Sequence, residues 1–322
     1  MDSQADNVPF QGDGRQNPRR GPKFLQRLPL GPKNHIVAAL GEFVGTFMFL
    51  LFAFGGANAV NTAPAQGQPA DLSADPARLL FISLAFGISL AVNAWVFYRI
   101  SGGLFNPAVS IALLAVGAIS AVRCVVVIIS QLLGGIAAAA LVSGLQTGEL
   151  YVSTTLNNKT SITQGFFIEL FLTAQLVFTI LMLAVEKHRS TPVAPIGIGL
   201  SLFITQMMGV YYTGGSLNPA RSFGPSVVTG GFPGYHWIYH LGPILGGLLA
   251  AGFYKLIKAL GYETANPGQD DVRDASLAHP YTNNHLGKGH DTSPTRHGAP
   301  ISRGSTAVGA YGEGPSMEAG RH

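Results

Sequence analysis

The sequence predicts an all-α membrane protein with six transmembrane helices and two re-entrant half-helices, arranged as an inverted repeat. Three observations support this fold class. Charged residues make up 11% of the 322 residues, against roughly 25% in soluble domains. Six apolar stretches have about the 20 residues that a helix needs to cross a bilayer. One nine-residue pattern occurs twice, as GGLFNPAVS and as GGSLNPARS, with its asparagine at position 106 and again at position 218.

The long apolar stretches are the predicted membrane spans. The mean hydropathy of the whole chain is +0.30, and it is concentrated in these stretches, which hold few charged residues, as a hydrocarbon environment requires. They cover Ile36–Ala57, Leu79–Phe97, Ile119–Val142, Ile162–Val185, Val193–Tyr212 and His236–Leu260.

An even number of spans places both termini on the same side of the membrane. Twelve Lys and Arg residues near the predicted spans fall on that side, and three fall on the other. Because basic residues near spans concentrate in the cytoplasm, we expect both termini to be cytoplasmic.

Two further apolar stretches, Pro107–Val116 and Pro219–Val228, have ten residues each and are too short to span. Each could be a surface loop. Their apolar composition and their place, one in each half of the chain, instead predict re-entrant half-helices. Each follows an asparagine, a favoured N-cap, and begins with proline, which has no N–H to leave unpaired at a helix start.

The polar ends of the chain contrast with the membrane region between them. Residues 1–33 and 262–322 are polar and rich in Gly and Pro, so we expect two disordered tails. The membrane domain covers residues 34–261, with one repeat at 34–144 and the second at 161–261.

Each repeat has the same order of elements. A span carrying Glu-x-x-x-Thr (Glu42 and Thr46, or Glu169 and Thr173) is followed by a second span, the Asn-Pro-Ala half-helix and a third span. Because three spans is an odd number, the two repeats have opposite orientations in the membrane. Such an inverted repeat places a shared site near the bilayer midplane.

Two helix starts that meet at the midplane have a defined chemistry. Each presents a positive dipole end and an asparagine amide that donates hydrogen bonds. A water oxygen accepts from both donors, whereas a cation is repelled. The repeat therefore favours a neutral, hydrogen-bonding solute.

The paired Asn-Pro-Ala motifs, together with LGEFVGTF and NPARSFGP, resemble the major intrinsic protein family, the aquaporins. The resemblance covers about residues 35–260, and PGYHWIYHLGP is similar to the sixth helix of fungal orthodox water channels. It implies a passive water channel that excludes protons and ions and is driven by osmotic gradients. It also implies one pore in each subunit of a homotetramer, in the lipid bilayer of the plasma membrane.

The resemblance further implies which residues form the pore. A second constriction is formed by the aromatic Phe86, by Gln206, by Gly215 and by Arg221. Typical water-selective members have histidine at the position of Gln206. Glycerol-conducting members carry Asp at the position of Ser222 and Trp at that of Phe86, so both residues favour water. The midplane motif residues are Asn106, Pro107, Ala108, Asn218, Pro219 and Ala220.

Three charged residues in apolar surroundings need an explanation, because charge in a membrane is costly. We expect Arg221 to face a wet cavity and repel cations; the alternative is an arginine that extends to the interface. We expect Glu42 and Glu169 each to accept backbone N–H bonds from the irregular loop of their own half. The alternative for both is a proton relay.

Other functions stay open at this stage. The channel could pass mainly hydrogen peroxide or another small neutral solute such as glycerol, or the chain could be a non-conducting junction or scaffold protein on the same fold. A secondary transporter would need coupling-ion ligands near the midplane. The sequence has no nucleophile–base or metal constellation, so we expect neither an enzyme nor a cofactor or metal, and no nucleic-acid partner. Asn158 begins a glycosylation sequon in the loop predicted to lie outside.

Overall fold

The computed structural model describes residues 29–62 and 75–265. Within these residues the protein is helical, with six helices long and apolar enough to cross a membrane and two short ones. The helices are α1 Leu30–Asn61, α2 Pro76–Phe97, α3 Pro107–Ala115, α4 Ala121–Leu145, α5 Ile162–Ile180, α6 Ala194–Thr213, α7 Pro219–Thr229 and α8 Ile238–Ala259. A π-helical turn, Leu181–Val185, extends α5, and short 3₁₀ turns cover Thr191–Val193 and Tyr262–Thr264.

The predicted fold class is confirmed, and the helix boundaries differ from the predicted ones for local reasons. α1 begins at Leu30, inside the predicted tail 1–33, because Pro32 falls in its first turn, where a missing N–H leaves no bond unmade. α4 begins at Ala121 rather than Ile119, because the Ser120 side chain caps the backbone N–H of Arg123. The predicted C-terminal tail begins with a 3₁₀ turn. Tail residues 1–28 and 266–322 lie outside the described residues.

Close approach between helices depends on glycines at equivalent places in the two repeats. A Cβ atom on Gly135 of α4 would lie 2.6 Å from the carbonyl oxygen of Ala220 in α7. A Cβ atom on Gly247 of α8 would lie 2.9 Å from the carbonyl oxygen of Ala108 in α3. Each half-helix is therefore packed against a span of the other repeat at a distance that only glycine permits.

The outward faces of the long helices carry large apolar side chains. Phe52, Ile88, Leu133 and Phe171 are all more than half exposed. Large apolar side chains exposed on several membrane-length helices indicate a lipid environment. α1 begins and α8 ends on the same face of the bundle, which we call the terminal face. The face at the other end of the helices is called the opposite face.

Candidate functional site

A cavity of about 420 Å³ lies inside the bundle and is lined by residues from both repeats. Gln206 and Arg221 line it toward the opposite face, Asn106 and Asn218 near the middle, and Lys187 toward the terminal face. The cavity therefore passes the point where α3 and α7 begin.

Both half-helices begin at an asparagine that caps its own helix. The Oδ1 atom of Asn106 accepts the backbone N–H of Ala108 at 2.9 Å. The Oδ1 atom of Asn218 accepts the N–H of Ala220 at 2.9 Å and that of Arg221 at 3.4 Å. Each asparagine has an extended backbone, as an N-cap residue requires. The local sequence alone accounts for this geometry.

The amide groups of the same asparagines donate across the boundary between the repeats. Nδ2 of Asn106 donates to the carbonyl oxygen of Leu217 at 2.8 Å, and Nδ2 of Asn218 donates to that of Phe105 at 2.8 Å. Because an amide nitrogen carries two hydrogens, one remains on each asparagine for a solute in the cavity. The asparagine donors were predicted from the sequence, but these crossed bonds were not.

Phe105 and Leu217, which accept the crossed bonds, have a backbone that non-glycine residues seldom adopt. Their φ angles are +50° and +53°, in the left-handed region that costs roughly 1–2 kcal/mol per residue. The N–H of Phe105 donates to Glu42 at 2.8 Å, and that of Leu217 to Glu169 at 2.7 Å. Each strained residue is thus held at its N–H by its own repeat and at its carbonyl by the other.

The two glutamates are fully buried and accept several further bonds. Glu42 also accepts the N–H of Leu104 and Nε2 of Gln131, at 3.0 Å and 2.8 Å. Glu169 accepts the N–H of Ser216 at 2.9 Å and the hydroxyl of Thr213 at 2.6 Å. Gln131 and Thr213 were not predicted as partners of these glutamates.

The hydroxyl partners had a signal in the sequence. Ser101 donates to Glu42 at 2.6 Å, as Thr213 does to Glu169. Ser101 and Thr213 occupy the same position when the two Asn-Pro-Ala motifs are aligned, so the repeat alignment could have identified them. Gln131 has no such signal.

Arg221 is 4% exposed and its guanidinium is held by backbone oxygens. Nε donates to Gly215 at 3.1 Å, Nη1 to Val152 at 2.6 Å and Nη2 to Gly214 at 3.2 Å. The side chain therefore lies inside the protein rather than extending to the interface. Two of its five N–H groups are not used by these bonds.

Two aromatic rings lie beside this guanidinium. Its central carbon is 5.1 Å from the ring centre of Phe86 and 5.5 Å from that of Phe54, within the range of a cation–π contact. Phe86 is the aromatic residue that the resemblance implies for a constriction with Arg221. Phe54 was not predicted, because it lies on α1 without a motif around it.

Gln206 and Gly215, the other two residues predicted for the constriction, are in direct contact. Nε2 of Gln206 donates to the carbonyl oxygen of Gly215 at 3.0 Å. Gly215 has a φ of +61° and contributes this backbone oxygen, not a side chain. Ser222, which the sequence analysis related to solute choice, is buried and bonds to Ser216 and Thr154 through its hydroxyl.

Two sites lie nearer the surface. Asn158 is exposed in a turn of the loop between α4 and α5. At the terminal end of the cavity, the Lys187 ammonium donates to the carbonyl oxygen of Ala184 at 2.6 Å and to the Tyr98 hydroxyl at 3.1 Å. The contact between Lys187 and Tyr98 was not predicted from the sequence.

Comparison with known proteins identifies relatives of the chain. The sequence profile of the family described as Major intrinsic protein matches residues 32–254. The chain is 59% identical over 254 residues to "Aquaporin-7" of Botryotinia fuckeliana, which aligns 77% of this chain and 55% of the relative. It is 54% identical over 241 residues to "Aquaporin-1" of Gibberella zeae, with 74% of each chain aligned.

The chain covers less than two thirds of the length of some of these relatives. It covers 55% of "Aquaporin-7" and 64% of "Aquaporin-2" of Botryotinia fuckeliana. Among solved structures, the aquaglyceroporin from Plasmodium falciparum superposes with a TM-score of 0.63 at 24% identity, over 71% of this chain and 99% of that chain. At that identity the likeness concerns the fold alone.

Proposed function

Because the chain belongs to the major intrinsic protein family and is an aquaporin-family channel with six membrane spans, we propose that it conducts water passively down osmotic gradients. In this proposal it excludes protons and ions. The crossed pair of asparagines at the centre of the cavity is the observation that carries the proposal.

Asn106 and Asn218 suit a water molecule at the midplane. Each has one amide hydrogen that is not engaged by the crossed bonds, and both line the cavity. A water that accepts from both amides directs its own hydrogens away from them. It then accepts no hydrogen bond from neighbouring waters, so a chain of proton transfers is interrupted there.

Positive charge opposes cations at two levels. The N-terminal ends of α3 and α7 both point into the middle of the bundle, and helix starts carry a partial positive charge. Arg221 adds a full charge at the constriction, with two N–H groups left to replace the hydrogen bonds that a passing solute loses. A neutral molecule is not repelled by the charge at the helix starts or at Arg221.

Hydrogen peroxide is the second candidate solute. The constriction presents N–H donors of Arg221 and an aromatic face of Phe86, and it has no histidine ring at position 206. These groups accommodate any small hydroxyl compound that accepts hydrogen bonds. Glycerol is larger and meets Phe86 at the same point, so we place it below peroxide.

The proposal also includes an oligomeric state, a membrane and an orientation in that membrane. We propose a homotetramer in the plasma membrane with both termini in the cytoplasm, so that the terminal face is the cytoplasmic one. The excess of Lys and Arg on the terminal side supports the orientation, and the tetramer follows from the family resemblance.

Stopped-flow measurements on proteoliposomes test the proposed function. Water flux is followed by osmotic shrinkage, and peroxide and glycerol by isotonic uptake, in one preparation at known protein density. We expect water flux well above that of empty vesicles, with potassium and proton fluxes at the empty-vesicle level. Asn158→Gln, on an exposed loop, is the matched control. Water flux equal to that of empty vesicles would instead favour a non-conducting scaffold.

A further inference from the structure

Two histidines lie close together where α8 begins, on the opposite face of the bundle. His236 is in the turn before α8 and His240 is in its first turn, and their ring centres are 5.1 Å apart. Histidines four positions apart on one helix face are an arrangement that binds zinc. Two imidazoles on one tetrahedral metal ion, with metal–nitrogen distances of about 2.0–2.1 Å, have ring centres about 5 Å apart. The observed separation therefore matches a shared metal ion.

His236 is enclosed by the protein but has no polar partner in it. The side chain is 7% exposed, and both of its ring nitrogens are buried without a hydrogen-bond partner among the described residues. Buried polar atoms without a partner are rare in folded proteins, because the bonds they lose from water are not replaced. This ring therefore points to a ligand that supplies the missing interaction.

The surroundings of His236 leave His240 as the neighbour with a suitable metal ligand. Between ring centres, the distance from His236 is 5.0 Å to Phe232, 5.7 Å to Tyr239 and 5.1 Å to His240. Phe232 has no atom that binds a metal, and imidazole, unlike the phenol of Tyr239, is a standard zinc ligand. His240 is partly exposed, so an ion from the surrounding water reaches the pair from its side.

The other histidines in the part of the chain that the structure describes are engaged by protein groups. Nδ1 of His35 accepts a hydrogen bond from Nε of Arg123 at 3.2 Å. Nε2 of His188 bonds to the carbonyl oxygen of Met182 at 2.9 Å, and its Nδ1 accepts the N–H of Ser190 at 3.1 Å. A buried ring with both nitrogens unused therefore distinguishes the pair at α8 from these two.

The start of α8 also lacks bonds that hold other helix starts. No side chain caps it, whereas Ser120 caps α4 and Ser161 caps α5. Pro243 has no N–H to donate to the carbonyl oxygen of Tyr239, which instead accepts the Ser216 hydroxyl at a long distance of 3.5 Å. An ion bound to both histidines joins the turn before α8 to its first turn, and so stabilises a helix start that has no cap.

We propose that His236 and His240 form a binding site for a divalent transition-metal ion of the Zn²⁺ type, which stabilises the start of α8. Among the described residues no third His, Cys, Asp or Glu forms a cluster with them, so water completes the coordination and the ion exchanges. Imidazole suits Zn²⁺, Ni²⁺ and Cu²⁺, whereas Mg²⁺ and Ca²⁺ prefer oxygen ligands. No metal was predicted from the sequence, because two histidines are a short signal until their surroundings are known.

Zinc titration of the 322-residue chain in nanodiscs tests the site. Five histidines beyond the described residues are replaced by Gln in every sample, so that they do not bind the ion: His279, His285, His290, His297 and His322. In this background, purified without a histidine tag, calorimetry should show one Zn²⁺ bound per chain. The melting temperature should rise by several degrees with Zn²⁺ and stay unchanged with Mg²⁺.

His240→Phe keeps an aromatic ring and removes one ligand. We expect Zn²⁺ affinity to fall at least several-fold and the thermal shift to disappear. His35→Gln, at the terminal face, is the matched control and should keep both effects. Equal Zn²⁺ affinity in His240→Phe and its parent, or no Zn²⁺ binding in the parent, would overturn the site.

Cu²⁺ provides a readout of the ligands themselves. Its electron paramagnetic resonance spectrum should show two coordinating ring nitrogens in the parent and fewer in His240→Phe. An aromatic pair that only packs at the membrane interface predicts the same spectrum for both, and that result would contradict the proposal. Because none of these measurements uses solute flux, their outcome is independent of whether the protein conducts water.

Discussion

Asn106 and Asn218 each donate an amide hydrogen, at 2.8 Å, to the carbonyl oxygen of the residue that precedes the other asparagine. These bonds join the starts of the two half-helices, because each links the N-cap side chain of one repeat to the backbone beside the N-cap of the other. The same amide groups retain one hydrogen each toward the cavity. The bonds that hold the two repeats together and the groups proposed to meet the solute are therefore on the same pair of side chains.

Asn218→Asp separates helix capping from the crossed bond. Aspartate is as good an N-cap as asparagine, so α7 should still form, but the donor to Phe105 is lost and a carboxylate faces a carbonyl oxygen. We expect a loss of about 1–3 kcal/mol in stability, the cost of an unsatisfied buried acceptor, and a raised cation leak. Thermal unfolding in detergent and potassium flux in vesicles measure the two effects. Asn158→Asp on the exposed loop is the control, and wild-type stability in Asn218→Asp would contradict the role of the bond.

Glu42→Gln and Glu169→Gln test whether the buried carboxylates support the loops. Each change replaces an oxygen that accepts a backbone N–H by an amide nitrogen that donates. The left-handed backbone at Phe105 or Leu217 then loses part of its support, and we expect about 1–3 kcal/mol of destabilisation with lower water flux per channel. Thermal unfolding and stopped-flow shrinkage are the measurements.

The alternative for these glutamates, a proton relay, has a different signature. It predicts that the wild-type protein conducts protons and that either variant abolishes this flux while stability is kept. A pH-sensitive dye inside the vesicles distinguishes the two roles.

Arg221→Val removes the charge at the constriction and leaves the carbonyl oxygens of Val152, Gly214 and Gly215 without that donor. We expect potassium leak and glycerol uptake to rise and water flux to persist, because the positive charge and part of the width restriction are gone. Arg189→Val, on the exposed loop between α5 and α6, is the matched control. Unchanged cation exclusion in Arg221→Val would show that the barrier lies elsewhere, at the asparagine level.

Asn158 tests the orientation in the membrane. The residue is exposed in the loop between α4 and α5, on the opposite face from the termini, and it begins an Asn-x-Thr sequon. Expression through a secretory pathway should therefore give a product whose gel mobility increases after glycosidase treatment, and Asn158→Gln should abolish the change. Modification of the terminal side by an impermeant external label would mean that the orientation is reversed.

The sequence by itself determined the features that depend on neighbouring residues. Helix length and apolar content predict the six spans, because a bilayer imposes both on any chain. The order Asn-Pro predicts where α3 and α7 begin, because capping involves residues two or three positions apart. The repeat of Glu42 in Glu169 indicated an inverted arrangement, since three spans separate equivalent points.

Only the tertiary structure decided which distant groups meet. Asn106 bonds to a residue 111 positions away, Gln131 to Glu42 across 89 positions, and Arg221 to Val152 across 69. No local pattern encodes these pairs, because they depend on how the helices cross. The contact between Gln206 and Gly215 spans nine positions, yet it too forms only because the loop after α6 folds back into the bundle with a left-handed backbone at Gly215. The sequence predicted four residues for a constriction by resemblance, and the folded chain decided that two of them, Gln206 and Arg221, donate to the same carbonyl oxygen.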